Sequence, residues 1–352
     1  MKQIYLLFLF ITSFTLAQQQ PYYDGIDFSQ TGDNLKNLLG QLIDDANENY
    51  TYGDIRDDFK IMELDPQDNT NSNVLLTYGF VNSVSCSSGQ TDRRLRDKDA
   101  FGGGTCEYNR EHVFARSNAN PGMGPTSNSF TGIVADPHNL RATDVQRNGN
   151  RGSKKFANGT GNSGDVGSGN WYPGDEWKGD IARIMMYMYT RYGDRCLPEL
   201  NAVGTKQGST DMLQVLLQWN VEDPVSLVED ARNNRLEVVY ENRNPFIDNP
   251  YIATVIWGGP EAEDRWGTLS YETAELDATL NISPNPAKDF VNVSIGNGAV
   301  TRIEIYDVLG KRVFVRKINE SMRLDIRSLK SGLYLFKFIQ NDKTTTKKLI
   351  VQ

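Results

Sequence analysis

EYNREHVFARS, residues 107–117, holds one of the chain's two histidines, His112, directly after Arg110 and Glu111. A neutral histidine titrates near pH 6.5 and can take a proton from water. A carboxylate beside it can hold a hard cation. A guanidinium suits bidentate contact with phosphate. Together the three residue types point to phosphodiester hydrolysis. An isolated Glu-His pair more often marks a surface or core histidine, so the context decides. Neighbouring residues of a regular strand face opposite ways. Both side chains therefore serve one pocket only if the backbone bends or leaves the strand there. The second half of the expected site lies in DPHNLRATDVQRNGNRGSKK, 136–155.

The chain has 352 residues, 38% hydrophobic and 23% charged, which suits two globular domains. Lys2, the apolar run Ile4–Phe14 and the small residue Ala17 read as a secretory signal peptide over 1–17. No later stretch is apolar for long enough to cross a bilayer. Export places Cys86, Cys106 and Cys196 in an oxidising compartment, where at most one internal disulfide forms. Cys86–Cys106 is the expected pair, because it would staple the approach to EYNREH. No CxxC pair or His-rich tract suggests zinc.

The net charge of −8 is uneven. Residues 280–352 hold thirteen Lys and Arg against six Asp and Glu, a balance of +7 that leaves −15 on 1–279. An acidic body does not draw polyanions from a distance. Nucleic-acid contact must come from a local stripe such as Arg141, Arg147, Arg151, Lys154 and Lys155. That counts against a tight sequence-reading binder and is compatible with an enzyme that binds briefly and releases.

Leu35, Leu38, Leu39, Leu42 and Ile43 share one face of a helix expected over 33–47, capped by Asp33. Val74–Val81 reads as a strand, and 83–105 as an exposed loop. Residues 157–170 read as a flexible surface loop. A helix at about 178–192 presents Ile181, Ile184, Met185 and Met188 to the core. Further helices are expected at 211–219 and from Asp223-Pro224 to about Asn242, with Asp as cap and Pro in the first turn. RNPFIDNP, 243–250, breaks that helix, and the chain then runs buried to Trp257. Residues 258–279 are acidic and weakly periodic. After them come short alternating strands separated by Gly, Asn or Pro turns, which make a small β-sandwich.

YNREHVFARS at 108–117 followed by DPHNLRATDVQRNGNRGSKKF at 136–156 resembles the endonuclease I family, secreted or periplasmic nucleases of the ββα-metal (His-Me finger) type. WKGDIARIMMYMYTRYGD and NRNPFIDNP add less specific likeness. The resemblance implies an α+β fold: a ββα-metal nuclease domain with surrounding helices, then the all-β domain. It implies His112 as general base, Glu111 and Asn148 as ligands of a catalytic Mg2+ (Mn2+ or Ca2+ being alternatives), and 5′-phosphate products. Arg110, Arg141 and Arg151 occupy family-like positions as phosphate contacts or as scaffold. His138, beside Asp136, is expected to brace the second motif against the first. Ala115 and Ala142 stand where the family often has proline. The gap between the motifs is short, so an arginine carried by longer members has no clear counterpart; Arg116 is the candidate.

ISPNPAKDFVNVSI, IEIYDVLGKRV, LKSGLYLF and the terminal KKLIVQ resemble the C-terminal sorting domain of type IX secretion. The expected organisation is a signal peptide at 1–17, nuclease domain at 18–260, linker at 261–279 and sorting domain at 280–352. The implied protein is a secreted or cell-surface monomer. Its partners are DNA, RNA or both as substrate and the type IX secretion machinery, with no stable protein partner. The alternatives are a catalytically silent nucleic-acid binder, a ribonuclease-preferring enzyme on the same scaffold, and a phosphoesterase for small esters.

Overall fold

The computed structural model describes residues 19–87, 90–267, 280–296, 298–307, 311–340 and 343–352. The expected signal peptide and residues 268–279 of the expected linker lie outside the described residues. The chain divides into two units between Trp266 and Gly267.

The first unit runs α1 (Gly32–Asp44), α2 (Asp54–Met62), β1 (Asn73–Leu75), β2 (Leu95–Asp97), β3 (Tyr108–His112), β4 (Leu140–Asp144) and α3 (Val145–Arg151). Then come β5 (Lys155–Phe156), β6 (Gly164–Gly167), β7 (Asn170–Tyr172), α4 (Lys178–Tyr192), α5 (Pro198–Asn201), α6 (Gln214–Glu222), α7 (Leu227–Tyr240), α8 (Pro245–Asp248) and α9 (Tyr251–Trp257).

The centre of this unit is the ββα element β3–β4–α3. The two strands are antiparallel, with Tyr108 opposite Asp144 and His112 opposite Leu140. Asp144 ends β4 and caps α3, accepting from the backbone of Gln146 and Arg147 at 3.0 Å each. A carboxylate at that position satisfies two of the helix's orphan N–H groups. The chain therefore turns from strand directly into helix, and α3 folds back over β3. Arg96 of β2 pairs with the same Asp144 in the interior.

Helix α4 is the hydrophobic axis. Ile181, Met185, Met186 and Met188 are fully buried, and α1, α6 and α9 supply Leu39, Leu216 and Ile252 to the same core. Its polar residues are buried as ion pairs. Asp180 pairs with Arg141, Arg183 with Glu229, and Glu63 with both Arg141 and Arg232.

Several local expectations are corrected. The strand expected over Val74–Val81 ends at Leu75, because Tyr78 takes a left-handed backbone (φ 72°). The loop 83–105 contributes β2, which pairs with β1. The loop 157–170 contains β6 and enters β7. Helix α7 starts at Leu227 and not at Asp223-Pro224, because Ser226 and Glu229 form a reciprocal capping box. Asp223 instead accepts from the Gly179 backbone at 2.8 Å. Residues 261–266, expected as linker, belong to the first unit. There Arg265 pairs with Asp230, and Trp266 packs on Tyr23 and Phe28.

The second unit has seven described strands: β8 (Leu280–Ser283), β9 (Phe290–Ile295), β10 (Thr301–Asp307), β11 (Arg312–Ile318), β12 (Met322–Asp325), β13 (Gly332–Gln340) and β14 (Lys343–Val351). They form sheets β12–β9–β8 and β11–β10–β13–β14, all antiparallel. Alternate residues such as Val291, Val293, Ile303, Ile305, Phe336 and Phe338 fill one core, as a sandwich requires.

Candidate active site

A cleft of about 480 Å³ opens at the end of β3. Arg110, Glu111, His112, Arg116, Asn148 and Arg151 line it, together with Tyr52, Thr126 and several Gly and Ser residues. Arg110, Glu111 and His112 all border this cleft although all three are regularly paired with β4, so no bend of the strand is needed to bring Glu111 and His112 together.

His112 is nearly buried, with 8% exposure. Its Nε2 lies 2.9 Å from the Val134 carbonyl oxygen. A carbonyl can only accept, so Nε2 carries the proton of the neutral ring and Nδ1 keeps its lone pair. The ring stacks on Tyr52, with centroids 5.5 Å apart and planes at 16°. Burial pushes its pKa down to about 4, and the nearby charges of Arg116, Arg110 and Arg151 push the same way. It is thus neutral at ordinary pH.

Glu111 is buried, and its Oε1 accepts from Tyr78 Oη at 3.0 Å and Arg151 Nη1 at 3.1 Å. Oε2 has no partner among the described residues. Burial raises this carboxyl to about 7, against the opposing pull of Arg151 and Tyr78. Asn148 comes from α3. Its Nδ2 donates to Asn109 Oδ1 at 2.8 Å and to the Arg110 carbonyl at 3.2 Å. That anchors the amide and leaves Oδ1 without a donor among the described residues.

The arginines separate. Arg151 is buried on the cleft floor, donating to the carbonyls of His112 and Val113 at 3.0 and 2.8 Å as well as to Glu111. Arg116 lies on the wall, where Nη1 donates to the Gly124 carbonyl at 2.6 Å. Arg110 stacks on Tyr52, its guanidinium carbon 3.7 Å from the ring centroid. Arg141, expected as a possible phosphate contact, does not reach the cleft. It is buried between Glu63 (2.9 Å) and Asp180 (2.8 Å), so it serves the scaffold role.

His138 and Asp136 also lie outside the cleft. Asp136 accepts from the His138 backbone, from Arg191 and from Tyr192 Oη, at 2.8–2.9 Å. The His138 ring packs on Tyr187, centroids 4.4 Å apart. These contacts tie the DPH turn to α4. The direct brace to the first motif is Asn139, whose amide accepts from the Phe114 backbone at 2.7 Å and donates to the Phe114 carbonyl at 3.1 Å. Cys86 and Cys106 form a disulfide ahead of β3, and Cys196 is buried and free.

Sequence reading missed Tyr52 and Tyr78, which lie about 60 and 30 residues from the histidine. Their only sequence signal is a Tyr-Gly dipeptide at each place, which suggests a turn but no function.

The described residues contain no cluster of three or more His, Cys, Asp or Glu fit to hold a metal.

The family model described as Endonuclease I matches residues 31–251, and that of the secretion system C-terminal sorting domain matches 281–352. Proteins named "Extracellular ribonuclease" from Bacillus subtilis (strain 168) and Bacillus amyloliquefaciens are 37% and 36% identical to this chain over 256 residues. Each match covers 68% of this chain, with 80% and 79% of the respective relative. A shorter match, 33% over 87 residues, joins 24% of the chain to 16% of "Ulvan lyase NLR42" from Nonlabens ulvanivorans. The endonuclease I family is typically metal-dependent. The chain belongs to the endonuclease I family: it is a secreted nuclease that hydrolyses phosphodiester bonds and bears a C-terminal sorting domain of type IX secretion.

Proposed function

We propose that this nuclease is a Mg2+-dependent endonuclease of low sequence specificity, acting on both DNA and RNA with His112 as general base. The observation that carries the reading is that His112, Glu111 and Asn148 line one cleft, each with an acceptor atom (Nδ1, Oε2 and Oδ1) that has no partner among the described residues.

The donor set fits the ion. Glu111 and Asn148 would hold it through two hard oxygens, and such sites leave several positions to water and phosphate. A cation would also offset the burial that raises the Glu111 carboxyl. Mn2+ and Ca2+ suit the same oxygens. When bound, the ion supplies Lewis-acid stabilisation of charge developing on the phosphate and on the leaving 3′-oxygen.

The remaining work falls to the chain's own groups. Val134 holds the proton on Nε2, so Nδ1 takes the proton of the attacking water. Low basicity keeps His112 neutral and ready. Tyr78 and Arg151 orient Glu111. Arg116, with one nitrogen committed, offers the others to phosphate. Loss of the 3′-oxygen gives 5′-phosphate ends.

The cleft lining is rich in Gly, Ser and Thr and poor in long amides that could read base edges, which supports low specificity. Both halves of the site come from one chain, which supports a monomer. A ribonuclease-preferring enzyme is the second reading, favoured by the names of the two Bacillus relatives.

The test is digestion of closed plasmid and total RNA by the mature protein, with Mg2+ and with EDTA. Nicking of plasmid and loss of RNA, both abolished by EDTA, are expected. Intact plasmid with degraded RNA would move the reading to the ribonuclease. Retained nucleic acid that is never shortened would mean a silent binder.

A further inference from the structure

Arg110 lies beside the two catalytic side chains, yet the fold already uses it. Its Nη1 donates to the Tyr52 carbonyl and to Asn128 Oδ1, and its guanidinium carbon sits over the Tyr52 ring. Arg110 and His112 are two apart on β3 and so share a face of the strand. The Tyr52 ring spans both, meeting the guanidinium at 3.7 Å and the imidazole at 5.5 Å.

Tyr52 is itself held. Its backbone donates to the Phe130 carbonyl at 2.7 Å, and Gly53 donates to the Asn128 carbonyl at 2.9 Å. The approach at Gly53 is close: a Cβ there would meet the Asn128 oxygen at 2.8 Å. The same stretch continues to Val134, which fixes the edge of the imidazole. One hydrogen bond leaves a ring free to tip about that bond, whereas a second contact on its face removes the freedom.

We propose that Arg110 and Tyr52 form a stacked support that positions the His112 imidazole, and that Arg110 is a positioning residue and not a phosphate contact. The proposal rests on the reading of His112 as the base.

The test compares Tyr52→Leu, Tyr52→Phe and Arg110→Lys in the full mature protein, with His112→Ala as the control. Misplacing a base by about 1 Å costs on the order of 100-fold. Tyr52→Leu and Arg110→Lys are expected to lower kcat about 10- to 100-fold. KM and its salt dependence should stay unchanged, and Tyr52→Phe should recover most of the rate lost in Tyr52→Leu. Lysine keeps the charge but not the planar stack, so Arg110→Lys separates support from phosphate binding.

With only two histidines, 15N-histidine NMR reads the tautomer of His112 directly. Wild type should show the Nε2–H form, and Tyr52→Leu a mixture. Wild-type kcat in either Tyr52→Leu or Arg110→Lys would overturn the proposal. So would an Arg110→Leu variant, which removes the charge, if its kcat stayed at the wild-type value while its KM rose and its salt slope fell by roughly 0.7–0.9, the loss of one phosphate contact. If Tyr52→Leu fails to fold, Arg110→Lys decides. Full activity in His112→Ala would sink the reading of the base, while the NMR tautomer still reports on the support.

Discussion

Tyr78→Phe removes a single hydroxyl beneath the site and keeps the ring. That hydroxyl is one of two donors to Glu111 Oε1, at 3.0 Å, the other being Arg151 at 3.1 Å. A hydrogen bond to a charged group contributes roughly 1.5–3 kcal/mol. Loss of such an outer partner of a metal ligand costs about 10- to 100-fold in metal affinity or activity, or roughly 1.4–2.8 kcal/mol. The direction with pH follows from the carboxyl. Burial already raises Glu111 to about 7, and the Tyr78 hydroxyl is among the contacts that lower it. Without it the proton stays on to higher pH and competes with the cation. The Mg2+ concentration for half-maximal cleavage should therefore rise about 10- to 100-fold near neutral pH, and the deficit should shrink in alkali. The assay is a Mg2+ titration of plasmid nicking across pH, with calorimetric titration of Mn2+ into substrate-free protein. An unchanged Mg2+ requirement and Mn2+ affinity in folded Tyr78→Phe would show that the hydroxyl does not hold Glu111 ready for the ion.

Three further outcomes are expected. His112, held down to about 4, does not set the acid limb of the pH profile, and Glu111, at about 7, does. At low Mg2+, kcat/KM should fall as pH drops through 7, and more Mg2+ should move that limb to lower pH; a limb indifferent to Mg2+ would contradict this. Arg141→Ala takes away one of the two cations that Glu63 and Asp180 each face in the interior, leaving Arg232 to Glu63 and Arg183 to Asp180 at 3.7 Å, so denaturant unfolding should show a loss of up to about 3–5 kcal/mol with KM of the folded fraction unchanged. Cys106→Ser opens a link spanning 20 residues and should cost about 3 kcal/mol, read by thermal or urea melts.

The sequence exposed the chemistry better than its support. The two motifs pointed to Glu111, His112 and Asn148, and the fold brings all three to one cleft, whereas the Asp144 cap that turns β4 into α3 went unread. Helix α4 was legible from its apolar residues. Partners distant along the chain were not. Arg141 looked like its neighbours in a basic stripe, and nothing in sequence shows that Glu63 and Asp180 meet it in the interior. Tyr78 sits in an apolar run that reads as strand, and only its left-handed backbone turns its ring beneath Glu111. Asp223-Pro224 is a sound helix start locally, but the reciprocal Ser226–Glu229 box competes for the same turn and sets the boundary.

In the proposed reaction His112 takes the proton from water. Single-turnover cleavage of plasmid by His112→Ala, at saturating Mg2+, tests it most directly. Tm and Mn2+ binding measured on the same sample would show that the fold and the ion site survive. The account predicts a rate lowered about 10²- to 10⁴-fold with both unchanged. Residual cleavage well above about one per cent of wild type, in a folded and Mn2+-binding variant, would contradict it, because a sole general base is worth at least that much.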